Sequence, residues 1–184
     1  VGDVMVDLAR VFGPVASRCS AYPAALALAP GSYALATVHR QSNTEQPALG
    51  RLVEGLGRVE GPLVVPLHPR TRVAHEGGGM LAELELATTV LPPLGYLDFT
   101  ALLRAARVCL TDSGGGQKEA YLHSVPCVTL RDTTEWVETV HLGWNVLVSE
   151  PGEIAAAAAA PPRGETHPEL YGDGHAAGRM ADLV

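Results

Sequence analysis

The chain lacks the features that identify several common classes of protein. It has no cluster of Lys and Arg, and 13 basic residues stand against 20 acidic ones, for a formal net charge of -7. Nucleic-acid binders usually present a basic face, so this balance argues against such a partner and limits any bound phosphate to one or two groups. No apolar run approaches the ~18 residues needed to span a bilayer, and no charged-then-apolar signal peptide opens the chain. We therefore expect neither a nucleic-acid partner nor a membrane partner.

Cysteine is also scarce and has no pattern. Cys19, Cys109 and Cys127 are odd in number and include no CxxC pair. Because Cys109 and Cys127 fall inside apolar strand-like runs, the sequence predicts neither a disulfide framework nor a zinc site. We expect a reducing, cytoplasmic location and no metal or cofactor.

Hydrophobic residues are plentiful, at 47% of 184 residues with only 18% charged, which is enough to bury the core of one good-sized domain. We expect residues 1–184 to form a single domain. The chain opens at Val1, without a methionine, on the apolar stretch "VGDVMVDLARVF". This abrupt start suggests a piece of a longer chain.

Short β-rich runs alternate with helical patterns, and Gly, Pro or polar clusters mark each change. Residues 47–59 carry leucines and valines at helical spacing, and a further helix is predicted to begin near Asp98 as its N-cap. The runs "VCL" and "CVTL" are apolar without alternation, which indicates strands covered on both faces. The sequence therefore predicts a doubly wound parallel α/β fold, with residues 161–174 as the one linker-like stretch.

The residues that follow the strands are polar or small, and this is where ligands bind in open parallel sheets. The loop "DSGGG" leads into a helix whose first N–H groups lack intrahelical partners and carry the positive end of the dipole, which favours an anion. Gly114, Gly115 and Gly116 remove side chains that would obstruct a phosphate, and Ser113 adds a hydroxyl donor. The loop is neither a Walker loop nor GxGxxG, and a tight strand-to-helix turn is the alternative interpretation.

Other candidate residues surround this loop in the sequence. Glu119, one helical turn further on, could accept hydrogen bonds from ribose hydroxyls, or it could be a solvated helix residue. Arg131 could contact a phosphate or a hydroxyl group, or it could take a capping and ion-pair role. His39 and His68 end neighbouring strands without a third ligand at metal spacing, so hydrogen bonding to an anion is favoured over zinc. Trp136 either packs in the fold or faces the ligand.

These segments together resemble one family. The order "TVHRQSN", "PLHPRT", "LPPLGYLDFTALL", "LTDSGGGQKEA", "VPCVTLRDTTEWVE" is similar to the C-terminal half of the non-hydrolysing UDP-N-acetylglucosamine 2-epimerases. The resemblance implies a Rossmann-like lobe of a two-lobed GT-B-type fold, usually a homodimer. Residues 1–20 would then be the interdomain junction and first helix, and the N-terminal lobe would be a partner outside this chain.

The resemblance also implies roles for individual residues in holding a UDP-sugar. Ser113, Gly114 and Gly115 match positions that meet the diphosphate, Glu119 the one that meets the ribose, and Phe99 one near the uracil. His39 matches an active-site position near the diphosphate. Arg40 and His68 match positions of a site where a second substrate molecule activates many bacterial members.

The implied reaction interconverts UDP-GlcNAc and UDP-ManNAc. UDP is eliminated to leave 2-acetamidoglucal, and UDP then adds back to this intermediate. This lobe would stabilise the departing UDP anion, while the carboxylates that move the C2 proton would come from the N-terminal lobe. The lobe alone is then expected to be inactive. A GT-B glycosyltransferase lobe and a non-catalytic UDP-sugar-binding module are the alternatives.

The chain departs from the family pattern at three places. "HRREN" becomes "HRQSN", so Gln41 and Ser42 replace an Arg and a Glu of the activator region. "GGIQEEA" becomes "GGGQKEA", where Gly116 is expected to loosen the turn and Lys118 reverses a charge. "TERPE" becomes "TEWVE", so Trp136 replaces an Arg that touches the ligand in many members.

Overall fold

A computed structural model describes residues 1–40, 43, 47–67 and 80–183 of the chain. Within these residues the strands form one six-stranded, wholly parallel sheet in the order β3-β2-β1-β4-β5-β6. The strands are β1 Ala34–Thr37, β2 Leu63–Pro66, β3 Thr89–Leu91, β4 Val108–Thr111, β5 Cys127–Thr129 and β6 Asn145–Leu147. This order reverses between β1 and β4, as in doubly wound dinucleotide-binding folds. The predicted doubly wound α/β class is confirmed.

The helices cover both faces of this sheet. They are α1 Val4–Cys19, α2 Tyr22–Ala25, α3 Ala48–Gly57, α4 Met80–Ala87, α5 Tyr96–Ala105, α6 Gly114–Leu122, α7 Val137–His141, α8 Ile154–Ala159 and α9 Ala176–Ala181, with a 3-10 turn at Pro151–Glu153. Helices α3, α4 and α8 pack on one face, and α2, α5 and α6 pack on the other. Helix α1 lies outside α5 and α6, and α9 packs back on α1.

Strands β1 to β5 each contribute to two separate cores. Ala34 and Ala36 point to the α3 side while Leu35, between them, points to the α5 side, and all three are fully buried. Successive strand side chains alternate between faces, so a strand covered on both sides needs apolar residues throughout. The apolar runs therefore reflect a sheet between two helix layers, and the chain carries its own core.

Two local predictions are wrong. Helix α5 begins at Tyr96 with the extended residue Gly95 as its N-cap, so Asp98 is not the cap. Asp98 instead lies in the first turn, where its carboxylate accepts a hydrogen bond of 2.8 Å from the Ser20 hydroxyl and the helix dipole favours its charge.

The supposed linker at 161–174 is the second error, because side chains hold it against the domain. The His167 ring stacks on Tyr121 at a centroid distance of 4.2 Å, and the Tyr121 hydroxyl donates to the Pro168 carbonyl at 2.7 Å. Trp144 donates its Nε1–H to the Thr166 carbonyl at 2.8 Å. These aromatic and hydrogen-bond contacts are long-range, and polar composition alone does not reveal them.

No helix in the described ranges has the length and apolar character required to cross a membrane. In the same ranges all three cysteines are free, with Cys19 exposed and Cys109 and Cys127 buried in neighbouring strands.

Candidate functional site

The candidate site lies at the carboxyl ends of β1 and β4, where the strand order reverses. The final residues of these strands, Thr37 and Thr111, pair through their hydroxyls at 2.8 Å. Chain segments leave this point in opposite directions, which opens a crevice suited to a ligand. A cavity of about 310 Å³ occupies it, and its walls include His39, Phe99 and Glu119 together with Ser113. The structure thus gathers four predicted site residues around one space.

The start of α6 offers backbone donors beside this cavity. Ser113 is the N-cap, and its hydroxyl oxygen accepts the N–H of Gly116 at 3.3 Å. In the part of the chain that the structure describes, the N–H groups of Gly114 and Gly115 have no protein acceptor. Unpaired N–H groups at the positive end of a helix dipole are a ready site for an anion, and the Ser113 hydroxyl keeps its own hydrogen to donate.

Gly115 and Gly116 differ in the space that surrounds them. A Cβ on Gly116 would lie 2.9 Å from Thr111 Oγ1, whereas a Cβ on Gly115 would meet only Ser113 Oγ, at 3.7 Å. Thr111 Oγ1 cannot easily yield, because it pairs with Thr37 and accepts the N–H of Ser113 at 3.1 Å. Gly116 therefore brings the helix close to the strand end and does not loosen the turn as expected.

Glu119 faces the cavity in a largely desolvated position. Burial raises the pKa of its carboxyl, because removing water disfavours the charged form. This is not the environment of a solvated surface residue. A carboxylate held in this way gains from any ligand hydroxyl that donates to it.

Asp112 is a structural centre of the site that sequence reasoning missed. Its fully buried carboxylate accepts the backbone N–H groups of His39 at 3.2 Å and Arg40 at 3.0 Å, and the side-chain amide of Asn43 at 3.0 Å. His39 Nδ1 lies 3.6 Å from Asp112 Oδ1. The signal was present as an acidic residue directly after an apolar strand, in "LTDSGGG".

Arg131 and Arg40 meet at one carboxylate. Arg131 donates two hydrogen bonds to Glu135, at 3.0 and 3.1 Å, and Arg40 donates one at 3.3 Å. The hydrogen bonds from Arg131 lower the pKa of the Glu135 carboxyl to about 2. Both arginines line a neighbouring cavity of about 300 Å³ and not the one that holds Glu119. Of the two interpretations of Arg131, the structure shows the ion pair.

Lys118 and Trp136, two of the departures from the family pattern, contact each other. The Lys118 ammonium is ion-paired with Asp3, the N-cap of α1, and lies 3.7 Å from the centroid of the Trp136 ring. Trp136 in turn donates its Nε1–H to the Gly114 carbonyl at 2.8 Å. The reversed charge therefore serves a contact between helices.

A second cavity, of about 370 Å³, lies at the other end of α6 and includes His123 and His167 in its walls. Burial, aided by the nearby charge of Arg104, lowers the pKa of His123 to about 4. This cavity is remote from the carboxyl ends of the strands. Among the described residues no group of three or more His, Cys, Asp or Glu is arranged to hold a metal.

Some predicted positions lie outside the described residues. They are His68 of the expected activator site and the two substituted positions Gln41 and Ser42.

Known proteins match this chain over its whole length. The family model for UDP-N-acetylglucosamine 2-epimerase matches residues 1–184. A UDP-2,3-diacetamido-2,3-dideoxy-D-glucuronate 2-epimerase of Pseudomonas aeruginosa is 43% identical over all of this chain and 51% of its own length. A UDP-N-acetylglucosamine 2-epimerase homolog of Methanococcus maripaludis is 35% identical, again over the whole chain and 53% of its own length. The chain thus spans about half the length of these curated relatives.

Solved structures of UDP-GlcNAc 2-epimerases share this fold. The UDP-GlcNAc 2-epimerase of Methanocaldococcus jannaschii, in complex with UDP-GlcNAc and UDP, superposes with a TM-score of 0.90 at 30% identity, over 100% of this chain and 53% of that one. A glycosyltransferase of avilamycin A biosynthesis reaches a TM-score of 0.53 at 16% identity, over 87% of this chain and 52% of that one, which is a likeness of fold alone. The predicted Rossmann-like lobe of a GT-B-type fold is confirmed.

The two glycines at the helix start should respond differently to alanine. Gly116→Ala is expected to destabilise the chain by about 1–3 kcal/mol, because its methyl group would press on Thr111. Gly115→Ala should leave the stability unchanged or slightly raised, because alanine favours the helix. Urea unfolding followed by circular dichroism measures both changes, and equal stability of the two variants would contradict the packing role of Gly116.

Proposed function

Since the chain belongs to the UDP-N-acetylglucosamine 2-epimerase family, we propose that residues 1–184 are the UDP-binding lobe of a non-hydrolysing epimerase. The enzyme inverts C2 of a UDP-activated 2-acetamido sugar. One observation carries the proposal: the unpaired N–H groups of Gly114 and Gly115 lie at the start of α6, where the flanking residues Ser113 and Gly116 line the cavity that also includes His39 and Glu119. Anion donors, an imidazole and a carboxylate are the groups that a nucleoside diphosphate requires.

We propose one orientation for UDP in this site. Its diphosphate lies on the N–H groups of Gly114 and Gly115 and on the Ser113 hydroxyl, which point beyond the start of α6. The ribose hydroxyls donate to Glu119, and the uracil lies near Phe99, on the same cavity wall. Arg131 would reach the ligand only after release from Glu135, as a further phosphate contact.

The lobe contributes to catalysis by stabilising the leaving group. A base removes the C2 proton, the electron pair forms the C1–C2 double bond, and the C1–O bond breaks to release UDP as an anion and 2-acetamidoglucal. Re-addition of UDP at C1 and of a proton at the opposite face of C2 completes the inversion. His39 is the catalytic residue of this lobe, because its imidazole can donate to the diphosphate as charge develops.

Asp112 positions His39 for that role. It fixes the His39 backbone N–H and lies 3.6 Å from the ring nitrogen Nδ1.

Two substrates are candidates. The family description favours UDP-GlcNAc, in exchange with UDP-ManNAc. The 43% identity to an epimerase of UDP-2,3-diacetamido-2,3-dideoxy-D-glucuronate favours that more highly substituted sugar. Both share the UDP moiety and the 2-acetamido group on which the proposed chemistry depends.

The base and acid for C2 would come from an N-terminal lobe. Helix α1 offers a surface for it, because Val4, Leu8, Val11 and Phe12 are exposed and recur at helical spacing along one side. Exposed apolar patches of this kind mark interaction surfaces. The relatives are about twice as long as this chain, so we assign the patch to the other lobe, with residues 1–20 as junction and first helix. From the resemblance to this family we also propose that the protein is a cytoplasmic homodimer and that Arg40 and His68 belong to an activator site.

The reaction can be tested with the full-length gene product and with the 184-residue chain. In deuterated water the full-length enzyme should incorporate deuterium at C2 of UDP-GlcNAc or of the diacetamido uronate, with traces of the corresponding glycal. The isolated chain should bind UDP by calorimetry but exchange nothing, since it lacks the proposed base.

Three outcomes would contradict the proposal. Sugar transfer to an acceptor without C2 exchange would identify a glycosyltransferase. UDP binding by the full-length product without exchange in either sugar would identify a binding module. Full epimerisation by the 184-residue chain alone would remove the need for a second lobe.

The desolvated Glu119 predicts a pH dependence of binding. Its pKa is raised by burial, and ribose hydroxyls that donate to the charged form should lower it again, so UDP-GlcNAc binding releases a proton when Glu119 is protonated. The affinity that depends on Glu119 should therefore fall as pH is lowered through that pKa. Calorimetry at pH 7.5 and at lower pH values should show that the UDP-GlcNAc affinity of the wild type falls more steeply than that of Glu119→Gln. At pH 7.5 the variant should bind more weakly than the wild type.

The same shift predicts an opposite effect on stability. A raised carboxyl pKa stabilises the folded chain at low pH, and this stability is lost as pH rises through the folded-state pKa. Glu119→Gln should therefore raise Tm at pH 7.5 while weakening binding. The matched control is Glu54→Gln, a surface residue paired with Arg58, which should change neither. A lower Tm for Glu119→Gln, or parallel pH profiles, would contradict the assignment.

A further inference from the structure

Four side chains join the start of α1 to the start of α6 and to the segment near the C-terminus. This group, called the Lys118 cluster, consists of Asp3, Lys118, Trp136 and Tyr171. The Lys118 ammonium pairs with the Asp3 carboxylate and lies 3.7 Å from the ring centroid of Trp136 and 4.8 Å from that of Tyr171. Trp136 and Tyr171 also meet edge to face, with centroids 5.7 Å apart.

The cluster is rigid because its cation is out of water. The Lys118 side chain is only 6% exposed, and a buried ammonium must keep its partners or bear a large desolvation cost. Its partners here are one carboxylate and the faces of two aromatic rings, and rings attract a desolvated cation strongly. Lys118 therefore holds the indole of Trp136 in a defined place.

The other end of the same indole reaches the anion donors. Trp136 Nε1–H donates to the Gly114 carbonyl at 2.8 Å, and a Cβ on Gly114 would lie 3.3 Å from that nitrogen. The Gly114 carbonyl and the Gly115 N–H belong to one planar peptide unit. A hydrogen bond that fixes the carbonyl therefore also fixes the direction of the Gly115 N–H.

Such an anchor matters because the glycine-rich first turn of α6 has little stiffness of its own. Three consecutive glycines have wide backbone freedom, and ordering them costs more entropy than ordering other residues. Donors that are already aligned before the anion arrives bind it more tightly than donors that must be ordered on binding.

We propose that Trp136 is a positioning residue for the diphosphate donors of α6, held in place by Lys118 and Asp3. The proposal rests on the proposed binding of UDP to this lobe. It gives the Lys118 and Trp136 departures one shared purpose, and it couples the start of α1 to the geometry of the anion site.

The chain offers a matched pair of variants for the test. Its two tryptophans, Trp136 and Trp144, each donate Nε1–H to a backbone carbonyl at 2.8 Å, but only the Trp136 bond ends on the first turn of α6, whereas Trp144 packs on Tyr121 in its last turn. Trp136→Phe keeps an aromatic face for Lys118 and loses the donor, and Trp144→Phe loses an equal bond elsewhere. Thermal unfolding by circular dichroism establishes that each variant is folded.

Binding of UDP and of uridine separates positioning from general stability. In the 184-residue chain, Trp136→Phe should weaken UDP binding about 5–20-fold, as expected for one misaligned charge-assisted donor, and leave uridine binding within about twofold of wild type. Trp144→Phe should change neither ligand by more than about twofold. Lys118→Met should show the same selective loss for UDP, since Trp136 is then no longer held.

If Trp136→Phe weakens UDP and uridine binding equally, the residue has a structural or base-stacking role. If UDP binding is unchanged, Trp136 does not position the diphosphate donors. If the wild-type chain binds no UDP, the proposed function fails and this inference fails with it. If the wild type binds UDP and Trp136→Phe matches it, only the inference fails.

A fluorescence measurement keeps the proposal testable should Trp136→Phe not fold. Trp144→Phe leaves Trp136 as the only indole of the chain, so its emission reports on that residue alone. UDP should change the emission and uridine should not. An emission that UDP leaves unchanged at saturation would contradict the coupling.

Discussion

The carboxylate of Asp112 is the interaction on which the candidate site depends. It is fully buried between the ends of β1 and β4, where a charge without partners would be strongly unfavourable. Backbone N–H groups of His39 and Arg40 satisfy it together with the Asn43 amide. The same bonds fix the loop that carries His39 against the loop that begins α6. His39 from one strand end and Ser113, the N-cap of α6, from the other therefore line a common crevice.

Two requirements act on the residues at the start of α6, beside Asp112. Close packing on Thr111 demands a residue without Cβ at 116, and the proposed approach of an anion favours small residues at 114 and 115. Three glycines meet both needs, at a cost in helix propensity of roughly 1 kcal/mol each relative to alanine. The Ser113 cap and the Trp136 hydrogen bond offset part of this cost by fixing the first turn.

Periodic and local features could be predicted from the sequence. The apolar runs predicted strands covered on both faces, and the helical spacing of leucines and valines predicted α3. The polar residues after the strands predicted the position of the crevice. Each of these patterns involves residues that are only a few positions apart in the sequence. The N-cap of α5 was missed because Gly95, in an extended conformation, begins the helix before Asp98. The partners of Lys118 and the packing of residues 161–174 could not be predicted, since Lys118 and Asp3 are 115 positions apart. Contacts of that kind arise from the folded topology and leave no periodic signal.

The proposed function requires a diphosphate to bind the N–H groups of Gly114 and Gly115. Selective 15N labelling of the 20 glycines in this chain, followed by titration with UDP, tests it most directly. We predict downfield shifts of the Gly114 and Gly115 amide protons that uridine does not reproduce, with a smaller change at Gly116, whose N–H already donates to the Ser113 hydroxyl. Shifts centred on Gly172, in the wall of the cavity at the other end of α6, or no shifts at Gly114 and Gly115 under saturating UDP, would contradict it.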